Sequence, residues 1–322
     1  MGVTATRRTW RYVRAADMTV MFAAIDVGTN SANLLVIDEH GKELTRVITS
    51  TRLGEGLHST GELSVEAMTR TIEVITAYIA TAQSLSATTI QIVGTAACRR
   101  ARNATAFCDL LQARTQLHLE VLSESDEAAL TFSGALIGLP VLDAPTLVVD
   151  IGGGSTEYTV GTQSIDVFAS IPFGAVTSTE SHISSDLPRP EDLTNLIGAV
   201  SDELEDITRD HPIVATAIRT VGVAGTIVTI AAVELGLHEF DDAALHGMTL
   251  SREAVEDVFR TVATEPLALR VQNPGLGPDR ADIIVAGCCI LVATMRRLHL
   301  SEITVSTRGL LDGVAHRARL NS

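Results

Sequence analysis

The stretch Asp150-Ile151-Gly152-Gly153-Gly154-Ser155-Thr156-Glu157 combines two carboxylates, a hydroxyl and a glycine triplet directly after the apolar run Leu147-Val148-Val149. A buried strand that breaks into three glycines leaves no Cβ in the turn, so backbone N–H groups can close around an anion while Ser155 adds a hydroxyl donor. Asp150, at the strand end, is placed to bind a hard cation that accompanies phosphate. Glu157 follows Ser155 by two residues and shares its face if the chain re-enters a strand. Read alone, a glycine triplet is equally the mark of an ordinary hairpin turn.

It does not stand alone. After the short apolar run Ala23-Ala24-Ile25, the residues Asp26-Val27-Gly28-Thr29-Asn30-Ser31 repeat the order Asp-x-Gly-x-x-Ser. Two copies of one phosphate-loop pattern predict two similar halves facing each other across a cleft. A third candidate is Ala224-Gly225-Thr226, where a strand over 218–223 enters a helix whose N-terminus offers free N–H groups to an anion.

The elements that position these loops follow from periodicity. Strands are expected over 22–28, 33–39 and 42–50, then a helix over 64–85 with Val65, Met68, Ile72, Ile75 and Ile79 at helical spacing. A strand ending at Gly94-Thr95 leads into a helical segment with Arg99 and Arg100, which either point at a phosphate or form a solvated face. After a strand over 119–122, Ser123 and Asp126 have capping-box spacing, and Glu124, Asp126 and Glu127 also suit a helix dipole. The second half repeats the opening strands, with Pro172-Phe173-Gly174-Ala175 read as a turn, a helix over 191–208, a long buried helix over 279–298, a strand over 303–305 and a last helix from Arg308.

The 322 residues suffice for two domains. These are expected at 22–133 and 134–322, behind a disordered basic leader at 1–21 that carries Arg7, Arg8, Arg11 and Arg14, with the final helix free to pack back on the first domain. No apolar run reaches the ~20 residues of a membrane span, so no membrane partner is expected. The net charge of −15 disfavours nucleic acid as a partner, and an anionic substrate must be met by local donors and a cation. Cys98, Cys108, Cys288 and Cys289 lack CxxC spacing and fit a reducing cytoplasm.

With the loops placed, AAIDVGTNS at 23–31, IVGTAACRRARN at 92–103, VVDIGGGSTE at 148–157, VGVAGTIVTIAA at 221–232, RADIIVAG at 280–287 and VSTRGLLDG at 305–313 resemble the exopolyphosphatase and guanosine pentaphosphate phosphohydrolase family. The resemblance implies an α/β, actin-like (ASKHA, ribonuclease H-like) duplicated fold with two domains flanking a cleft. It implies Glu127 as the base that activates water, Arg99 as a phosphate clamp, and Asp150 and Glu157 as a site for Mg²⁺ or Mn²⁺. It places Thr29, Asn30, Ser31, Gly152, Gly153, Gly154, Ser155, Gly225 and Thr226 around phosphate, and it implies a cytoplasmic homodimer. Two departures stand out. Glu124 replaces the glycine usual before the catalytic glutamate and becomes its rival, and Asn33 stands where many relatives carry Arg or His.

The expected activity is release of terminal orthophosphate from inorganic polyphosphate. Short chains are expected to be favoured, because the sequence ends just after RGLLDG where longer relatives add helical domains. The alternative is conversion of guanosine pentaphosphate to tetraphosphate, and more remote ones are a sugar kinase and a non-catalytic alarmone or nucleotide sensor.

Overall fold

The computed structural model describes residues 20–321. The expected basic leader therefore lies, up to residue 19, outside the described residues, and Met21 already belongs to the first strand. The chain opens as a meander of β1 (Met21–Val27), β2 (Ser31–Asp38) and β3 (Glu43–Ser50), followed by the one-turn α1 (Leu57–Thr60) and the long α2 (Val65–Ser84). Then come β4 (Ala87–Gly94), α3 (Ala96–Arg100), α4 (Ala104–Thr115), β5 (Leu119–Val121) and α5 (Glu124–Ala135).

A second meander, β6 (Thr146–Ile151), β7 (Thr156–Gly161) and β8 (Ile165–Ile171), leads to α6 (Ala175–His182), α7 (Pro190–Asp210), α8 (Ile213–Thr216), β9 (Arg219–Val223) and α9 (Ala224–Glu234). The chain ends with α10 (Asp242–Leu245), β10 (Thr249–Ser251), α11 (Arg252–Thr264), α12 (Leu267–Arg270), α13 (Ile284–Arg297), β11 (Glu302–Val305) and α14 (Leu310–Leu320).

The duplication is explicit in the sheets. The first runs β3-β2-β1-β4-β5, and the second runs β8-β7-β6-β9-β11 with β10 added at its edge. In each, the meander is antiparallel and its first strand pairs in parallel with the strand that follows the crossover, β1 with β4 and β6 with β9. Such a crossover needs helix to span it, which α2 and α7 supply. β1 and β6, central in their sheets, are almost wholly buried, whereas the edge strand β3 has exposed and half-buried residues and none fully buried.

Helices cover both faces. On the outer face of the first sheet, α2 and α4 supply Met68, Ile75, Ile79, Phe107 and Leu111. Ser64 starts α2 by accepting from the Ala67 N–H at 3.1 Å. Val65, expected on the apolar face, is exposed because the buried stripe runs through Ala67, Met68, Thr71 and Ile75 instead. The second sheet packs on α13, buried on nearly every side, which α7 and α11 flank.

α5 joins the halves. Its Leu130 packs with Phe22, Leu35, Val93 and Val314 of α14, while Phe132 and Ala135 pack with Val148, Val221 and Val223 of the second sheet. The expected boundary at 133/134 thus falls inside one helix, and α14, although last in the chain, lies against β1, β2 and α5. Ion pairs also cross between the halves: Arg46 to Asp312 at 2.5 Å, Arg308 to Glu43 at 3.1 Å and Arg52 to Asp282 at 2.7 Å.

Three sequence expectations change. Residues 172–175 hold not only a turn but the start of α6, whose first N–H groups bond back to Gly152 and Gly153 carbonyls. The helix expected from 279 begins at Ile284, because residues 277–283 form successive turns that carry Arg280 toward the interior. The arginine segment after β4 splits into α3 and α4, with Ala101 extended at φ −73° and ψ 129°.

Candidate active site

Each meander begins with the same hairpin. In the first, the Gly28 N–H donates to the Ser31 carbonyl at 2.9 Å, and in the second the Gly152 N–H donates to the Ser155 carbonyl at 3.0 Å. Opposite the aspartate the strand partners differ, Asp26 facing Asn33 and Asp150 facing Glu157. The two loops abut: a Cβ on Gly154 would lie 2.9 Å from the Thr29 hydroxyl, so a side chain there would force one of the loops to give way.

Around this junction lies a cleft of about 230 Å³. Thr29, Asn30, Ser31, Gly152, Gly153, Gly154, Ser155, Gly225 and Thr226 all line it, together with Asp150, Glu157 and Glu127. Thus three loops distant in sequence meet at one place. The β9–α9 loop enters through Ala224, a non-glycine residue at φ +66° in the left-handed region, a local cost of the kind that gathers at functional sites.

Of the site residues expected from sequence, Arg99 alone is absent from the lining. It sits behind Glu127, bonding its carboxylate and donating to the Leu122 carbonyl at 3.1 Å. Glu124 lies 4.0 Å from Arg99 and is half-exposed, while Glu127 is 13% exposed and faces the cleft. α5 creates this difference, since Ser123 caps its first turn and points Glu124 outward and Glu127 inward.

Four carboxyl groups share this buried space. Burial raises Asp26 to about 7, partly offset by the Asn33 amide that donates to it at 3.0 Å. Burial and repulsion from Glu157, Glu127 and Asp26 hold Asp150 well above the ordinary carboxylate range. Burial, with Glu127 beside it, lifts Glu157 to about 7 even though Ser170 donates to it at 3.0 Å. Glu127 is also raised by burial, against the pull of Arg99.

Two members of the site were not singled out from sequence. Asp26, a motif residue, lines the cleft with one carboxylate oxygen buried and without a partner. Arg280 lines it from the turns before α13, its guanidinium lying over Gly225 where any Cβ would collide. Arg280 has no ion-pair or side-chain hydrogen-bond partner among the described residues, and burial lowers its pKa from the usual guanidinium value. A half-buried guanidinium lining a cleft, with no ion pair or hydrogen bond among the described residues to hold it, suits an anion. Its spacing from the other site residues carries no local signal, because only the tertiary fold brings it to Gly225.

No group of three or more His, Cys, Asp or Glu residues among the described residues has the arrangement of a preformed metal centre. The residues present do fit a magnesium-like ion. Asp150 and Glu157 face each other across a hairpin at raised pKa, Asp26 keeps an unpartnered oxygen, and such an ion is usually held by one or two carboxylates, waters and substrate phosphates.

Duplicated α/β halves of the actin-like type, joined over a cleft with two glycine loops and raised-pKa carboxyl groups, define the class of this protein. The sequence profile of the Ppx/GppA phosphatase family matches residues 35–321, and the chain belongs to that family. It is 33% identical over 312 residues to exopolyphosphatase 2 of Mycobacterium tuberculosis, an alignment covering 91% of this chain and 97% of the relative. It is 27% identical over 301 residues to the guanosine-5'-triphosphate,3'-diphosphate pyrophosphatase of Aeromonas salmonicida, covering 92% of this chain and 59% of that protein. Among solved structures, an exopolyphosphatase-like protein superposes with a TM-score of 0.87 at 27% identity, covering 94% of this chain and 99% of that one. The Aquifex aeolicus family member gives 0.78 at 27% identity, with 94% and 98% covered.

Proposed function

We propose that this protein is an exopolyphosphatase, a phosphoanhydride hydrolase that releases terminal orthophosphate from inorganic polyphosphate. The observation that carries the reading is the convergence of both Asp-x-Gly-x-x-Ser loops on one cleft opposite Glu127. The exopolyphosphatase relative, aligned along nearly its full length, supports it.

The terminal phosphate lies between the two loops, accepting from their backbone N–H groups and from the hydroxyls of Thr29, Ser31 and Ser155. Arg280 neutralises charge on the next phosphate. Glu127 accepts the proton of the attacking water, and Arg99 acts through Glu127 by holding its carboxylate in place, instead of clamping phosphate directly. Asp150 and Glu157 would hold Mg²⁺, or Mn²⁺, which when bound supplies charge neutralisation for the bridging and leaving oxygens. Short chains are the favoured substrates. Of the other cleft-lining guanidinium groups, Arg46 and Arg308 are tied to Asp312, Glu43 and Asp242, which leaves few free cations to grip a long polyanion.

A second reading, removal of the terminal phosphate from guanosine pentaphosphate, is favoured by the apolar rim of the same cleft. Ile48 is 57% and Phe240 61% exposed there, in a position to take a nucleobase. Phosphate release from short polyphosphate, long polyphosphate and guanosine pentaphosphate, with and without Mg²⁺, tests both readings. Fastest turnover per chain end on short polyphosphate is expected. Release from guanosine pentaphosphate alone would transfer the assignment to the second reading, and release from none would reject both.

A further inference from the structure

Thr29, Ala96 and Gly154 line the cleft and also line a second cavity, of about 210 Å³. They form the wall between the two spaces, and at Thr29 and Gly154 that wall is the contact between the phosphate loops themselves. The remaining lining includes Leu57, His58, Arg100 and Thr177.

The two spaces contrast in charge. The cleft is lined by Asp26, Glu127, Asp150, Glu157 and Asp312 against Arg46, Arg280 and Arg308, whereas no carboxylate lines the second cavity. Its ionisable side chains are Arg100 and His58, with the hydroxyls of Thr29 and Thr177 beside them. Arg100 reaches the wall directly, donating to the Gly154 carbonyl at 2.7 Å, and His58 is an exposed residue of the lining.

A hydrolase that trims one end of a polymer meets a problem of exits. After water attack, orthophosphate sits at the loops while the shortened chain still fills the cleft. Product leaving by the cleft must wait for that chain to dissociate, whereas a route on the far side of the loops lets the chain advance. We propose that the cavity lined by Thr29, His58, Arg100 and Thr177 is an orthophosphate site through which the product leaves, reached by a small separation of Thr29 from Gly154. The proposal rests on the hydrolase reading above.

The test is His58→Glu, which sets a carboxylate at an exposed position of the cavity lining and leaves the cleft lining unaltered, with His58→Gln as the neutral control. With short polyphosphate and Mg²⁺, steady-state turnover should fall roughly tenfold as release becomes limiting. Rapid-quench measurement should then show a burst of orthophosphate equal to the enzyme concentration, at the wild-type chemical rate. Product inhibition by added orthophosphate should weaken, and His58→Gln should stay near wild type. Unchanged turnover with no burst in His58→Glu would show that phosphate leaves by the cleft and sink the proposal. An equal fall in the chemical step would also sink it, since the cavity would then act on catalysis and not on exit. A wild type that binds polyphosphate and releases no phosphate would instead reject the hydrolase reading, and the exit with it.

Discussion

The hairpins β1–β2 and β6–β7 share their turn, their Gly-to-Ser hydrogen bond and their central place in a sheet, yet one carries Asp26 beside Asn33 and the other Asp150 beside Glu157. The first pair is an acid partly satisfied by an amide at 3.0 Å, while the second is two acids that burial and mutual repulsion keep from ionising easily. Opposite the aspartate, then, the first hairpin holds one half-satisfied acid and the second a pair of acids, the arrangement that better fits a cation. Duplication supplies two matching glycine loops on one cleft, and the departure from symmetry gathers the acids on one of them.

The largest effect is expected opposite both hairpins. Glu127→Gln keeps the side chain's shape and removes the proton acceptor, so turnover should fall by ~10²–10⁴-fold with substrate binding largely kept. Glu124→Gln, at a half-exposed position, should stay within a few-fold of wild type. Steady-state kinetics of both variants check this, and the reverse pattern would move the base to Glu124.

Within the hairpins, the acid pair should matter more than its counterpart. Asp150→Asn should lower both Mg²⁺ affinity and rate, with part of the rate recovered at high metal, because an amide cannot balance the cation's charge. Asp26→Asn should cost less on the same Mg²⁺ titration. Equal losses would mean that the hairpins contribute alike and that the asymmetry has no chemical consequence.

A smaller effect concerns stability. Glu157 is raised from 4.5 to about 7, so the native state holds more protons than the unfolded chain in that window, and the metal-free protein loses stability as pH rises through it. The loss is on the order of 3 kcal/mol, and a cation bound to the ionised pair would offset it. Mg²⁺ should therefore raise the melting temperature more at about pH 8 than at about pH 5. In Glu157→Gln that metal response should largely vanish and the pH slope should flatten. A wild-type response independent of pH would separate metal binding from this pair.

Much of the cradle was legible because glycine-bearing turns after apolar strands are local signals, and the phosphate-loop residues from Thr29 to Thr226 do line one cleft. What was not legible depends on distance along the chain. Arg280 acquires its role only when the turns before α13 lay it over Gly225, and helix periodicity extended across those turns hid it. Arg99, on a strand-end helix, reads as a phosphate ligand until α5 brings Glu127 between it and the cleft. α6 was hidden because its anchor is the glycine loop itself, through the Gly152 and Gly153 carbonyls, and not an apolar stripe of its own.

The smallest change tests whether Asn33 has any duty beyond the hairpin. Its amide is the side-chain donor that Asp26 finds, at 3.0 Å, and the other Asp26 oxygen is already buried without a partner. Asn33→Ala would leave both oxygens unmet, push Asp26 further above its present value of about 7, and cost ~1–3 kcal/mol of stability above neutral pH, where the carboxylate must ionise. Below about pH 5, with Asp26 protonated in both proteins, the two should melt much closer together. Turnover should change by no more than a few-fold, because Asn33 carries no charge to lend the substrate. A rate loss as large as that of Asp150→Asn would show instead that Asn33 touches phosphate, and the two hairpins would then be functional equals that differ only in the ligand each one holds.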